Sequence, residues 1–292
     1  MTASVCCTKP APPPYKQPRF DQERSYGRLQ ELCKFGPRNH NSEGKTRAGR
    51  WIEQNLREAG AEVSVHEFQF TPKNATQTES FRNIVGKINS HLKDRVLIAT
   101  HYDTHSTAEK DQDESRRHQP IIGANDGGSG VAVLLEIARL WKEQPPPIGV
   151  DLIFFDGEDF GRGAELDEYF LGSKAYVRDF PDYRPRWGIV LDMVGDASLD
   201  IRKEKDSLAR APAVVERVWN AAARVGSSGI IDERGSLIYD DHTAFLEKGI
   251  PVVLMIDFSY PWFHTTADTI EKCSADSLGQ AGRAVMEAVE TP

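Results

Sequence analysis

The chain has 292 residues, of which 39% are hydrophobic and 27% charged, as is typical of a globular protein with one large or two small domains. Its formal net charge of −8 argues against a nucleic-acid backbone as a partner. No apolar stretch approaches the ~20 residues that a membrane-spanning helix needs, so we expect no transmembrane segment.

The N-terminal segment, residues 1–19, is rich in proline and is predicted to be a tail that precedes one catalytic domain over residues 20–292. It has neither the basic nor the apolar region of a signal peptide, which favours a cytoplasmic protein. Alternatively, Cys6-Cys7 and the proline run resemble the mature start of a bacterial lipoprotein, which would be exported if translation starts further upstream.

The four cysteines match neither a disulfide framework nor a thiolate zinc site, and we expect them to be reduced, with a single bridge left open as an alternative. They are Cys6, Cys7, Cys33 and Cys273.

Apolar residues at helical or strand spacing predict alternating elements along the rest of the chain. Predicted helices start at Asp21 and then cover 43–59, 128–142, 172–180, 212–225 and 275–289. Predicted strands cover 62–70, 81–88, 95–100, 150–155, 188–193 and 251–256. Two stretches without periodicity, 105–119 and 157–171, are predicted loops. This order favours an α/β fold, with a largely parallel central sheet flanked by helices.

Residues that bind metal ions follow several predicted strands, where ligands bind in α/β sheets. Each cluster alone is weak evidence, because an Asp before a helix is usually an N-cap and a lone His usually lies on the surface. Together they supply the carboxylate and imidazole donors of a catalytic zinc site, with an adjacent carboxylate free for acid/base work. Five histidines outside these clusters are predicted to lie on the surface: His40, His66, His91, His105 and His118.

Seven segments resemble, in order and spacing, those of the zinc aminopeptidase and glutaminyl cyclase superfamily. They are HYDT (101–104), GANDGGSGVAVLLEIAR (123–139), LIFFDGED (152–159), LGSKAYV (171–177), LDMVGD (191–196), DDHTAFLEKGIPV (240–252) and WFHTTADT (262–269). This resemblance covers about residues 21–290. It implies that Asp126, Asp159 and His264 bind zinc and that Glu158 is the general acid/base.

The resemblance also implies that Asp192 and Asp240 orient Glu158 or share its proton. Crowded carboxylates cannot all ionise cheaply in a buried site. We therefore predict that these three side chains share a proton through short hydrogen bonds and titrate as a unit.

Two features resemble the bacterial type of the glutaminyl cyclase (glutaminyl-peptide cyclotransferase) branch. One is Asp240-Asp241-His242, where aminopeptidases typically have Ser-Asp-His, and the other is the pair of long segments 105–122 and 160–171. That branch implies one zinc ion per chain. It also implies peptide or protein N-termini as substrates, with an N-terminal glutamine converted to pyroglutamate and ammonia released.

The alternative is a zinc aminopeptidase that hydrolyses N-terminal residues from peptides. In that case His101 and Asp192 would complete a second metal site, but cyclases usually keep both residues, so their presence does not decide. A binding module without activity is a third interpretation, and the intact set of ligand positions argues against it.

Aromatic residues near the site depart from the cyclase pattern. The family usually has Trp directly before the zinc-binding His, whereas Phe263 holds that place here and Trp262 lies one residue earlier. We predict that both wall the substrate pocket, with core packing as the alternative. The aromatic expected after Glu158 is matched by Tyr169 or Phe170.

Overall fold

A computed structural model describes residues 20–73, 75–163 and 166–291. Within these residues the helices are α1 (Gln22–Cys33), α2 (Glu43–Glu58), α3 (Ser129–Glu143), α4 (Leu171–Asp179), α5 (Lys205–Arg210), α6 (Pro212–Val225), α7 (Asp241–Glu247) and α8 (Ala275–Glu290). The strands are β1 (Glu62–Phe70), β2 (Glu79–Ile88), β3 (Arg95–His101), β4 (Gly149–Phe155), β5 (Gly188–Asp192), β6 (Ile201–Lys203), β7 (Ile230–Arg234) and β8 (Val252–Ile256). The predicted N-terminal tail lies outside the described residues.

Six strands form the central sheet, in the order β1-β2-β4-β3-β5-β8. The neighbours β4, β3, β5 and β8 pair in parallel. Strand β2 is antiparallel to both β1 and β4, so β1 runs in the same direction as the other four strands. The predicted α/β fold with a largely parallel central sheet is therefore confirmed.

Helices cover both faces of this sheet because side chains of buried strands alternate between the two faces. On β3, Ile98 packs into the core under α1, α2, α3, α6 and α8, while Leu97 and Ala99 pack into the core under α4 and α7. All seven residues of β4 are buried. Burying each large apolar side chain contributes roughly 1.5–3 kcal/mol, which explains why these strands are almost continuously apolar.

The sequence missed four short elements, α5, α7, β6 and β7. Helices α5 and α7 have six and seven residues, too few to show a helical period. Strands β6 and β7 form a separate two-stranded parallel sheet. The omission matters at α7, because its N-cap is Asp240, one of the predicted site residues.

Two expectations about the surface and the thiols can be compared with the described residues. None of the helices in residues 20–73, 75–163 and 166–291 is long and apolar enough to cross a membrane. Cys33 and Cys273 form no disulfide within the described residues. Cys6 and Cys7 lie outside the described residues.

Candidate active site

The predicted site residues meet at the carboxyl edge of the central sheet. His101 and Asp192 are the last residues of β3 and β5, and Asp159 follows the end of β4. Because these strands are parallel, their carboxyl ends lie side by side. Asp126 reaches the same edge from the loop before α3, and His264 reaches it from the loop after β8.

Three of these side chains form a buried set of donors. One ligand atom each from Asp126, Asp159 and His264 lies within 4.8 Å of the others. His264 Nε2 is 3.1 Å from Asp159 Oδ1 and 3.6 Å from Asp126 Oδ2. The Oδ2 atoms of both aspartates are buried and have no hydrogen-bond partner among the described residues. A buried carboxylate without a partner is costly, so the arrangement fits a bound divalent cation.

A second set shares one member with the first. His101 Nε2 lies 3.0 Å from Asp192 Oδ1 and 3.3 Å from Asp126 Oδ1. Asp126 therefore directs Oδ1 towards His101 and Oδ2 towards His264. The described donors could accommodate one cation, or two that share the Asp126 carboxylate.

Two further buried aspartates hold the loops that carry the donors. Asp103 accepts hydrogen bonds from the backbone N–H groups of Glu158 and Asp159, at 3.3 and 3.2 Å. Asp268 accepts hydrogen bonds from the backbone N–H groups of Asp126, at 3.2 Å, and Asn125, at 2.9 Å. Both donor loops are thus fixed through their backbones by a neighbouring carboxylate.

Backbone geometry explains the glycine that follows Asp126. Gly127 has φ +72°, and a Cβ atom there would lie 2.1 Å from the carbonyl oxygen of Asp103. Only glycine allows the loop to approach the end of β3 so closely. His264 and Met193 also have left-handed backbone, with φ +55° and +46°. Non-glycine residues in this region are strained, and such strain concentrates at functional sites.

The pKa values of the adjacent carboxyl groups of Glu158 and Asp159 are shifted in opposite directions by their surroundings. Burial raises the pKa of Glu158 well above its ordinary value, and the charge of Asp159 adds to this effect. Burial also tends to raise the pKa of Asp159, but the positive charge of His264 and its hydrogen bond lower that pKa below its ordinary value. Two neighbouring carboxyl groups with opposite shifts are suited to different roles, with Glu158 able to accept and release a proton while Asp159 stays ionised and faces a cation.

The ring of His101 lies between two of the three crowded carboxyl groups, those of Glu158 and Asp192. Its Nδ1 is 3.6 Å from Glu158 Oε2, and its Nε2 contacts Asp192. The charge of Asp240 adds to the rise in the pKa of Glu158, and the sharing of a proton among Glu158, Asp192 and Asp240 stays a prediction. Asp240 also accepts a hydrogen bond from the backbone N–H of Asp241 as the N-cap of α7. Burial, followed by the charge of Asp192, raises the pKa of Asp240 well above its ordinary value.

A cavity of about 390 Å³ opens above these groups. Its acidic residues include Glu158, Asp192 and Asp240. Its apolar part includes six residues: Tyr169, Phe170, Leu237, Tyr239, Phe258 and Phe263. Both aromatics that the sequence offered as alternatives after Glu158 therefore line the cavity. The lining of the cavity therefore combines a group of acidic side chains with a group of apolar side chains.

The two aromatic residues before His264 are placed differently. Phe263 lines the cavity, whereas Trp262 is not among the described residues that line it. Trp262 packs against the core on the α4 and α7 face, and the ammonium of Lys272 lies 4.0 Å from the centre of its ring. Phe263 also packs against that core but lines the cavity, so these contacts favour core packing, the alternative interpretation, for Trp262.

His105 is a site residue that the sequence analysis misassigned to the surface. It is fully buried, and its ring stacks on that of His264 with 4.2 Å between the centroids. His40 and His66 are partly buried and pair with carboxylates, while His91 and His118 are exposed as predicted. The position of His105 directly after HYDT was the available signal, but an aperiodic loop does not show which of its side chains turn inwards.

Residues 83–289 match Peptidase family M28, and the chain belongs to that family. It is 32% identical over 231 residues to aminopeptidase YwaD of Bacillus subtilis, an alignment that covers 74% of this chain and 45% of that protein. The chain thus spans less than half the length of that relative.

Two solved structures show the same fold along their whole length. A Zn-dependent exopeptidase from Parabacteroides distasonis has a TM-score of 0.90 and 32% identity, covering 95% of this chain and 100% of its own. A glutaminyl cyclase from Bacteroides thetaiotaomicron, bound to N-acetylhistamine, has a TM-score of 0.90 and 34% identity, with the same coverage of both chains. This chain is therefore similar both to peptidases and to a glutaminyl cyclase.

Proposed function

We propose that the protein is a zinc-dependent glutaminyl-peptide cyclotransferase, which converts an N-terminal glutamine of a peptide to pyroglutamate and releases ammonia. The observation that carries this proposal is the presence of Asp240 beside Glu158 in the cavity. Burial raises the pKa of both carboxyl groups well above the ordinary values, so the site holds two groups that bind protons more readily than ordinary carboxylates. The similarity to the B. thetaiotaomicron glutaminyl cyclase supports the same reaction.

Asp126, Asp159 and His264 are the residues that would hold the zinc ion, one per chain. Imidazole nitrogen and carboxylate oxygen are donors that zinc accepts, and three protein ligands leave a position for substrate. The bound ion would polarise the γ-carbonyl group of the substrate glutamine.

Glu158 then transfers the proton that the attacking amine loses. The α-amine of the substrate attacks its γ-carbonyl carbon, the C–N bond of the side-chain amide breaks, and ammonia leaves. Glu158 accepts the proton from the attacking amine and donates it to the departing nitrogen. Because attack is intramolecular and closes a five-membered ring, the apolar wall around Phe263 needs only to hold the reacting ends together.

Mass spectrometry of one glutamine-initiated peptide tests the proposal directly. Cyclisation lowers the peptide mass by one ammonia, whereas an aminopeptidase releases free glutamine and a shortened peptide. The Glu158→Gln variant, incubated under the same conditions, controls for spontaneous cyclisation. Release of glutamine by the wild type, with no loss of ammonia, would refute the cyclotransferase assignment.

A zinc aminopeptidase is the second candidate function. It is favoured by the second donor set, in which His101 and Asp192 share Asp126 with the first, and by the similarity to aminopeptidase YwaD. Metal analysis of the purified protein separates the two candidates. Two zinc ions per chain, both required for turnover, would support the aminopeptidase and oppose the cyclotransferase.

A further inference from the structure

The segment 105–111 contacts the loop that carries His264 and holds it through hydrogen bonds. The backbone N–H of Lys110 donates to the carbonyl oxygen of His264 at 3.1 Å. Asp111 Oδ2 accepts hydrogen bonds from both the backbone N–H and the hydroxyl of Thr266. The ammonium of Lys110 also lies 3.6 Å from the ring centre of Phe263. The loop is therefore held on both sides of His264 by a segment that the sequence predicted to be a simple loop.

These contacts matter because His264 has a strained backbone, with φ +55°. A non-glycine residue in this region is strained and persists only where its surroundings determine its conformation. The hydrogen bonds from Lys110 and to Asp111 supply that constraint. They act on the backbone, however, and do not by themselves fix the imidazole ring.

Glu109 contacts the ring itself. Its Oε1 lies 3.2 Å from His264 Nδ1, while His264 Nε2, on the other side of the ring, lies 3.1 Å from Asp159. An ionised carboxylate can only accept a hydrogen bond. Facing Glu109, Nδ1 must therefore carry a proton. If a cation binds at Nε2, the ring is neutral, and the proton held on Nδ1 leaves the Nε2 lone pair for that cation.

The stacked His105 leaves this contact undisturbed. Its Nδ1 is 2.7 Å from the carbonyl oxygen of Thr107, and its Nε2 is 3.1 Å from that of Gly161. With both nitrogens engaged by the backbone, His105 supports the face of the His264 ring but does not compete for Glu109. Although His105, Glu109 and His264 lie close enough to bind a cation, their donor atoms already have these partners.

We propose that Glu109 is a positioning residue that fixes the tautomer and orientation of His264, so that Nε2 is directed at the metal position beside Asp126 and Asp159. Partners of this kind behind a metal-binding histidine raise its basicity and hold its ring in place. The inference rests on the assignment of His264 as a metal ligand in the proposed function. It is independent of whether the reaction is cyclisation or hydrolysis.

Zinc affinity of the purified full chain, measured by competition with a chromophoric chelator, tests this role. Glu109→Ala should weaken zinc binding by roughly 10–100-fold. Glu109→Gln should weaken it less, because its amide oxygen can still accept from Nδ1. Glu114→Gln is the matched control: it removes the same charge from the same region, at an exposed side chain that pairs with Arg117. Its affinity should equal that of the wild type.

Each outcome bears on a different part of the argument. His264→Ala with wild-type affinity overturns the ligand assignment and the inference with it. If His264→Ala loses zinc but Glu109→Ala binds it like the wild type, the positioning role is overturned and the ligand assignment stands. An equal loss in Glu114→Gln would show a general effect of charge and would also overturn the positioning role. If Glu109→Ala fails to fold, Glu109→Gln carries the test, and wild-type affinity in that variant counts against the proposal.

Discussion

Asp241→Asn should remove a pH-dependent loss in the free energy of unfolding of the metal-free protein. Asp241 is the first residue of α7, and its side chain is fully buried. Burial raises its pKa from 3.8 to about 7. Asparagine has nearly the same shape and cannot ionise, so the substitution isolates the effect of this one titration.

The sign follows from where the proton is bound. Between pH 3.8 and about 7 the folded protein keeps a proton that the unfolded chain has released. The free energy of unfolding therefore falls as pH rises through this window. A shift of about three pKa units corresponds to about 4 kcal/mol, which the wild type loses by neutral pH and Asp241→Asn should retain.

The assay is urea denaturation of chelator-treated protein at several pH values between 4 and 8. The difference in the free energy of unfolding between Asp241→Asn and wild type should grow by about 4 kcal/mol across this range. Asp232→Asn, at a side chain that is 80% exposed, should follow the wild type. Parallel curves for Asp241→Asn and wild type would refute the reasoning, because they would mean that Asp241 does not retain its proton on folding.

Three further predictions concern the site. Glu158→Gln should keep zinc and lose ~10²–10⁴ in turnover, while Asp159→Ala should lose the metal; metal analysis that gives the reverse would exchange their roles. Asp240→Asn should shift the acidic limb of the pH–rate profile to lower pH, since the charge of Asp240 raises the pKa of Glu158; an unchanged profile contradicts this. Phe263→Ala should raise KM at nearly constant melting temperature, whereas Trp262→Ala should cost about 0.5–3 kcal/mol of stability with near-normal kinetics; the opposite pattern would reverse their assignments.

Much of the fold could be predicted because its long elements bury one face or both. Helices α2, α3, α6 and α8 each run for 14–16 residues, long enough for a 3.6-residue period to be visible. The parallel strands appear as short apolar runs. The antiparallel pairing of β2 with β1 and β4 carries no such signal, because it is decided by contacts between residues far apart in the chain.

The site was predictable to the extent that its residues lie at strand ends. His101 and Asp192 end their strands and Asp159 follows β4, so the proximity of these residues follows from the parallel sheet. Glu109 and His105 lie in a segment without periodicity, and their inward orientation depends on tertiary contacts with the His264 loop. The same limit applies at the carboxyl cluster, since no spacing indicates that the ring of His101 lies between Glu158 and Asp192.

The hydrogen bonds that Asp103 and Asp268 accept from the donor loops have a consequence for how the protein acquires its metal. In small zinc domains the ligands are ordered by the ion, so binding and folding are one event. Here neighbouring carboxylates accept hydrogen bonds from the backbone N–H groups of Asp126 and Asp159, so protein groups hold both loops. The conformational entropy of these loops is therefore lost when the chain folds and not when the ion arrives. Metal uptake becomes a local event, and a chelated sample should keep the native fold and regain its metal without refolding.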